Sequence, residues 1–514
     1  MGINALAQAA PNTLDLTRTY LGVYAQDTWR LGQKLTLNYG LRWEPFFPPQ
    51  FVNGAVYQFD ATRFQQKVKS TVFPNGPAGL YFPGDPGFPS QAGMRTQWAN
   101  LGPRIGLAWD PVGDGRTAIR ASYGKSFEFV NVQFHLGTSV APPWGSDVRI
   151  NSPAGGLDNP FVGSGQTNIF SVTFDQSAPF SLNGPFLSLS NDMTATNVHL
   201  WNVTVERQVG SWFASAGYVG SRTNHIWESM PLNNALFVTV NGAAPSTANT
   251  NARRPFTLAD PVNGKYYGAT DLYVTDGTQH YNGLILSVRR VSSRATLTAN
   301  YTVSHCYGSP EGFGGAVNMI STGYNNALDP AYDDGNCAAD RLHNFTATAG
   351  IQSPDRWGAV GSNWRLSGTV RAYSGPWLTL TTGTDRALNG QVPTQRVSQI
   401  LDDPFSDQSI DPANGGVRYL NPAAFALPAV GALGTSARNS VRGMASRIVD
   451  LALAKSIRLT NAQSLELRLE AFNAFNWVQW GLPATAFNAA TFGEITSVVP
   501  GSPRVLQLGL KYVF

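Results

Sequence analysis

The residues of this 514-residue chain with the chemistry to act as ligands or nucleophiles are few: six histidines, two cysteines and one acidic cluster. Metal centres need ligands at short, regular spacings. His135, His199, His225, His280, His305 and His343 are dispersed without such spacing, and each reads as a solvated or packed side chain. Asp329, Asp333, Asp334 and Asp340 carry oxygen ligands of the kind calcium takes, against the plainer reading of a solvated acidic loop. There is no HExxH, no GxSxG and no glycine-rich phosphate loop. No nucleophile, base or metal set presents itself, so no cofactor and no enzymatic activity are expected.

The elements that would position these residues announce themselves by period two. In "KLTLNYGLRWE", Leu35, Leu37, Tyr39, Leu41 and Trp43 share one face, while Asn38, Arg42 and Glu44 share the other. "RTAIRASYGKSFEF" repeats the split, with Ile119, Ala121 and Tyr123 against Arg120, Ser122 and Glu128. "TLTANYTVS" and "SLELRLEAF" do the same, the latter setting Leu465, Leu467 and Leu469 against Glu466, Arg468 and Glu470. About thirteen such strands are expected, centred near residues 24, 39, 103, 122, 202, 216, 285, 299, 347, 368, 453, 469 and 509.

Tight Gly-, Asp-, Asn- and Ser-rich connections join them in pairs, at 31–33, 111–115, 209–211, 291–293, 354–362 and 460–462. Between the pairs run long irregular stretches, 47–96, 130–195, 223–277, 307–341, 375–445 and 477–503. Loops of that length are rare inside a compact soluble domain. Short turns at one end and long loops at the other are the asymmetry of an outer-membrane barrel. Charged residues make up 13% of the chain, about half the usual share, and the polar strand faces carry charges such as Arg42, Glu44, Arg120, Glu128, Arg365, Arg371, Glu466, Arg468, Glu470 and Lys511. A polar interior inside an apolar exterior inverts a soluble barrel. The expected fold is therefore an all-β, antiparallel transmembrane β-barrel, with extracellular loops and periplasmic turns. A soluble sandwich or propeller is the alternative for any single strand.

No run of eighteen apolar residues exists, which excludes a transmembrane helix but not a barrel. The formal net charge of +4 is scattered, with no basic stripe for nucleic acid. The first residues lack the basic start of a secretory signal, the first positive charge being Arg18.

Cys306 and Cys337 bracket one long loop, and a disulfide there suits an oxidising surface, two free buried thiols being the alternative. Among aromatics, Trp29, Trp43, Tyr512 and Phe514 fit interfacial girdles. Trp144, Trp227, Tyr266, Tyr267, Tyr324 and Trp377 lie in loops, where they serve either as a ligand-catching surface or as loop packing.

The sequence closes on "LQLGLKYVF", an alternating strand in which Gln507, Gly509, Tyr512 and Phe514 resemble the signal read by the barrel-assembly machinery. Further stretches resemble the TonB-dependent receptors and, within them, the Oar-like branch with carboxypeptidase-regulatory-like N-terminal domains. They are "YLGVYAQDTWRLGQKLTLNYGLRWEP", "GPRIGLAWDPVGDGRTAIRASYG", "WNVTVERQVGSWFASAGYVGSR", "YNGLILSVRR" with "ANYTVSH", "DPAYDDGNCAADRLHNF" and "LELRLEAFNAFNWVQWG", in that order. The resemblance implies a barrel of about 22 strands around an N-terminal plug that contacts TonB. Nothing here resembles the plug, the TonB-contacting segment or the leading domain. The expectation is thus the C-terminal part of a receptor barrel, with an irregular lead at 1–17 and a partial barrel domain at 18–514. The resemblance further implies uptake or export of a large solute, carbohydrate or peptide before iron chelate. Its expected partners are outer-membrane lipid and the barrel-assembly machinery, with TonB reached only through the missing part. A plugless passive pore and a surface adhesin without transport are the competing functions. The expected location is the outer membrane of a Gram-negative-type bacterium.

Overall fold

The computed structural model describes residues 5–10, 14–128, 142–164, 168, 175–310, 323–354, 357–391, 394–460 and 462–514. Thirteen strands form one continuous path, each paired antiparallel with the next. They are β1 (Val23–Leu31), β2 (Leu35–Trp43), β3 (Leu101–Trp109), β4 (Thr117–Glu128), β5 (Thr196–Val209), β6 (Trp212–Pro231) and β7 (Tyr267–Val291). The path continues through β8 (Ala295–Gly308), β9 (His343–Gln352), β10 (Trp364–Tyr373), β11 (Ser446–Arg458), β12 (Ser464–Phe472) and β13 (Val505–Val513). Every centre read from the alternation falls inside one of these strands. Helices among the described residues are single turns, such as Ala61–Gln65 and Pro255–Ala259.

The register keeps the two faces apart across the sheet. Leu37 faces Leu107, Leu107 faces Ala121, Ala121 faces Val203, Val203 faces Tyr218 and Tyr218 faces Leu284. One residue along each strand, Asn38 pairs with Gly106, Gly106 with Ser122 and Ser122 with Asn202, the last pair joined by an amide-to-hydroxyl hydrogen bond of 2.6 Å. A slip of one residue would turn charged side chains onto the apolar face, which is why the pattern fixes the pairing. That apolar face stays uncovered by protein. Leu508, Leu510 and Leu506 are 83%, 69% and 65% exposed.

All tight turns lie at one end. Gly210 adopts φ +59° in the connection between β5 and β6, a conformation that a side chain would resist. In the connection between β3 and β4, Asp110 accepts backbone N–H bonds from Gly113 (2.7 Å) and Gly115 (2.8 Å), which hold its carboxyl below the usual range. Aromatics mark this turn end on the apolar face: Trp29, Trp109, Trp212, Trp364 and Tyr512. Trp43, Tyr123 and Trp201 mark the other end of the same face. Two such belts bound an apolar band, as expected at membrane interfaces.

The long connections at the opposite end fold into compact cores. One holds Tyr57, Phe59, Phe82, Phe186 and Tyr267, and a second holds Phe46, Met94, Leu189, Trp227 and Tyr273. A third, drawn from the connections after β10 and β12, holds Leu380, Val397, Tyr419, Phe425 and Phe492. Two expectations change here. The stretch 223–277 is not one loop, because β6 and β7 run on past the apolar band, paired through Pro231 and Asp271 with register shifts at 224–228. Gly184–Leu189 then joins β7 in parallel. Within the lead, expected to be irregular, Ala5–Ala10 pairs with Ser146–Asn151, and Leu16–Thr17 with Gln50–Phe51.

Candidate functional site

The polar face supplies the first part of the site. Arg42 contacts Glu44 at 2.7 Å, Arg120 contacts Glu206 at 3.1 Å, Arg371 contacts Asp450 at 2.9 Å and Arg468 contacts Glu470 at 3.4 Å. Tyr20 adds its hydroxyl to the first pair. The last three pairs, whose arginines are exposed to water, contribute little stability, typically under about 1 kcal/mol each. Their consequence is to fix charge on one wall. Across β1 to β4 the wall holds a recess of about 760 Å³ lined by Gln26, Thr28, Asn38, Arg42, Arg104 and Ser122. Gly40, Gly106 and Gly124 leave its floor free of side chains. A second recess of about 570 Å³ lies near the turn end, lined by Thr348, Gln352, Arg365, Ser367, Glu466 and Arg468. Of the expected wall charges, Glu128 ends β4, and Lys511 faces Glu466 across the last pair.

Buried arginines organise the loop end. Arg396 is 1% exposed, contacts Asp333 at 2.6 Å, donates to the carbonyls of Tyr332 and Ser436, and stacks on the Tyr332 ring. Arg438 donates to the carbonyls of Gly308, Ser309 and Asp333, tying the end of β8 to the following loop. Arg442 pairs with Asp340 at 3.1 Å and stacks on Trp377. Arg253 is fully buried, with carbonyl acceptors on Leu236, Ser246 and Leu388. Burial lowers Arg254 to about 10, against the opposing pull of Asp271.

These contacts correct the acidic-loop expectation. Asp333 and Asp340 are buried arginine partners, while Asp329 is exposed and Asp334 half-buried. Among the described residues no group of three His, Cys, Asp or Glu has the geometry to hold a metal. His135 lies outside the described residues.

Burial also separates the two readings of the loop aromatics. Trp227, Tyr267 and Tyr324 are core residues. Trp144 packs edge-on against Phe73 at 5.5 Å, Tyr266 packs on the first core beneath Lys265, and Trp377 is covered by Arg442. Trp227, Tyr267 and Tyr324 are thus loop packing, while Trp144, Tyr266 and Trp377 pack on the loops and keep part of their surface exposed. Cys306 and Cys337 are joined in a disulfide across 31 residues, at the point where the Cys337 N–H donates to the Cys306 carbonyl. In β13, Gln507 faces Glu470, Gly509 faces Arg468 and Tyr512 faces Leu465, while the Tyr512 and Phe514 rings stack at 5.9 Å.

One residue carried no sequence signal. Glu228 sits on the part of β6 beyond the apolar band, fully buried, with neither carboxyl oxygen hydrogen-bonded. Burial pushes it up to about 9; Arg438 opposes the rise, and Asp276, Asp333 and Asp334 reinforce it.

The sequence matches the family described as "Outer membrane beta barrel domain" over residues 3–507. A search of curated proteins found no match. Among solved structures, the chain is similar to the FrpB iron transporter from Neisseria meningitidis, at 12% identity and a TM-score of 0.43, covering 98% of this chain and 46% of that one. It is also similar to the outer membrane transporter YddB from Escherichia coli, at 11% identity and a TM-score of 0.45, covering 96% and 44%. The ferric-catecholate import receptor Fiu from E. coli K12 matches at 12% identity and a TM-score of 0.40, covering 99% and 45%. The chain spans less than half the length of these proteins.

Proposed function

This chain belongs to the outer-membrane β-barrel domain family and lies in the cell outer membrane, and from that premise we propose that it is wall and loop head of a TonB-dependent transporter. The observation that carries this reading is the division of labour along one antiparallel sheet. A charged, hydroxyl- and amide-rich face lines a solute path, an uncovered apolar face meets lipid, and folded loops crown one end. The loop end faces outward and the tight turns face the periplasm. The Oar-like resemblance favours carbohydrate or peptide as the solute, and the donors of the Arg42–Arg104 recess suit either. Coupling to TonB resides in a plug that this chain does not resemble, and 18–514 is the barrel portion. Supporting this, β1 and β13 both run from loop end to turn end, so pairing them with each other would be parallel, unlike barrels of this kind.

The test is the mass and N-terminal sequence of the native protein in the outer-membrane fraction, together with solute uptake with and without TonB. A product well above 55.3 kDa that begins upstream with a plug, and uptake lost without TonB, support the transporter. A product near that mass with steady conductance in planar bilayers supports a plugless pore instead.

A further inference from the structure

The apolar face is not apolar throughout. At its loop end the register aligns one row of basic side chains across four adjacent strands: Lys125 on β4 faces His199 on β5, His199 faces Arg222 on β6, and Arg222 faces His280 on β7. Strands lie about 4.8 Å apart, so Lys125 and Arg222 stand about 10 Å apart with His199 between them. From Trp212 in the turn-end belt to Arg222 is a run along β6 of about 33 Å, or about 25 Å along the membrane normal at the usual tilt, the height of a barrel's apolar band. The row thus stands where hydrocarbon gives way to headgroups.

We propose that this row binds the phosphate of a phosphorylated lipid headgroup in the outer leaflet; the assignment rests on the reading of the apolar face as lipid-facing and the loop end as outward. Among the described residues, no carboxylate makes an ion pair with Lys125, Arg222 or His280. Lys125 lies over the Phe127 ring at 4.8 Å, Arg222 donates to Asn224 at 3.0 Å, and His280 rests near the Tyr307 ring. His199 shares its Nδ1 with the Tyr123 hydroxyl at 2.8 Å. The loop carboxyl that senses His280 is Asp334, which is already bonded to Ser309 and drawn by Arg438. A guanidinium and an ammonium without carboxylate partners, held above aromatic and aliphatic side chains, match a phosphate above acyl chains. A phosphate monoester carries more charge and more free acceptor oxygens than the phosphodiester of a zwitterionic lipid, so it pairs with such cations more strongly. A soluble protein partner is disfavoured, because one step further along the same face, beyond Trp201 and Asn282, the strands present the exposed Val203 and Leu284 of the band.

Protein extracted from outer membranes in mild detergent and returned to phosphatidylcholine bilayers containing bisphosphorylated lipid A provides the test, with bound lipid counted by native mass spectrometry. The wild type should retain at least about tenfold more lipid A than the Lys125→Gln/Arg222→Gln variant, and should lose that excess when the lipid A is dephosphorylated. Arg289→Gln, on the polar face of β7, should retain as much as the wild type. Equal retention by wild type and double variant would overturn the proposal, as would indifference to the phosphates or competition by inorganic phosphate at equal concentration. Brominated acyl chains separate this failure from that of the membrane reading. Quenching of tryptophan fluorescence without lipid A selectivity overturns this proposal alone, and absence of quenching overturns both.

Discussion

Arg396 and Asp333 meet at 2.6 Å with each side chain 1% exposed, 63 residues apart in sequence and both outside the strands of the barrel path. Asp333 also accepts from the backbone and side-chain amides of Asn325, at 2.6 and 2.8 Å. Removing one partner of a buried pair strands the other charge, at a cost of about 3–5 kcal/mol. Arg396→Met should therefore open the loop head locally. Amide exchange in 323–342 and 394–445 should rise by roughly a hundredfold or more, while β3 to β6 exchange as before. Adding Asp333→Leu should restore most of the protection, since an apolar pair leaves no orphaned charge. Unchanged exchange in Arg396→Met would remove the pair from any role in ordering the loops.

The disulfide restrains the same region from its other side. Cys306 and Cys337 close a loop with a sequence separation of 31, worth about 3–4 kcal/mol in the chain-entropy model. Reduction, or Cys306→Ser with Cys337→Ser, should make the connection between β8 and β9 sensitive to protease in intact cells. The short pairing of Tyr307–Gly308 with Gly335–Asn336 should be lost as well. Peptide mapping after limited proteolysis reads this directly, and cleavage at the same rate in both forms would show the arginine contacts to be sufficient.

Glu228 makes the loop head pH-dependent. Its carboxyl ordinarily titrates at 4.5 and is pushed up to about 9 in the folded protein. Between those values the folded state holds a proton that the opened state releases, so stability is greatest below about pH 4.5 and falls as pH rises toward 9. The accumulated cost at pH 7 is on the order of 3 kcal/mol. Glu228→Gln, neutral at every pH, should protect residues 226–231 and 323–336 at neutral pH and flatten their exchange between pH 5 and pH 9, after correction for intrinsic exchange rates. A wild type with no slope over that interval would mean that Glu228 is ionised and paired in the folded protein.

The parts that could be read in the sequence are those in which a residue's role depends on its nearest neighbours. Leu465, Leu467 and Leu469 alternate with Glu466, Arg468 and Glu470 because a strand alternates, and the register against β13 follows from that. Tight turns are equally local. The loop head is different. Arg438 meets Gly308 across 130 positions and Arg442 meets Asp340 across 102, and neither end of such a contact carries a period or spacing. Trp227 and Tyr267 illustrate the same boundary: ring chemistry suits a ligand surface and a loop core alike, and burial alone separates the two. Arg222 and His280 were visible as residues but not as a row, since alignment across strands appears only once the register is known.

The assignment of faces is itself open to a direct comparison between adjacent residues. Leu508 faces Leu469 on the apolar side of β13, and Gln507 faces Glu470 on the polar side. Both stand near the middle of the strand, so backbone position and distance from the chain end are matched. An arginine on the lipid side near mid-depth costs about 2–4 kcal/mol, while one on the polar side meets water and, at this position, the Glu470 carboxylate. Leu508→Arg should reduce the folded, heat-modifiable form in outer-membrane fractions, and Gln507→Arg should leave it at the wild-type level. A soluble sandwich burying Leu508 against a second sheet would also reject Leu508→Arg, so membrane partition is scored alongside abundance. In a membrane barrel the residual folded Leu508→Arg protein remains in the membrane pellet. Recovery of folded protein in the soluble fraction would reverse the assignment.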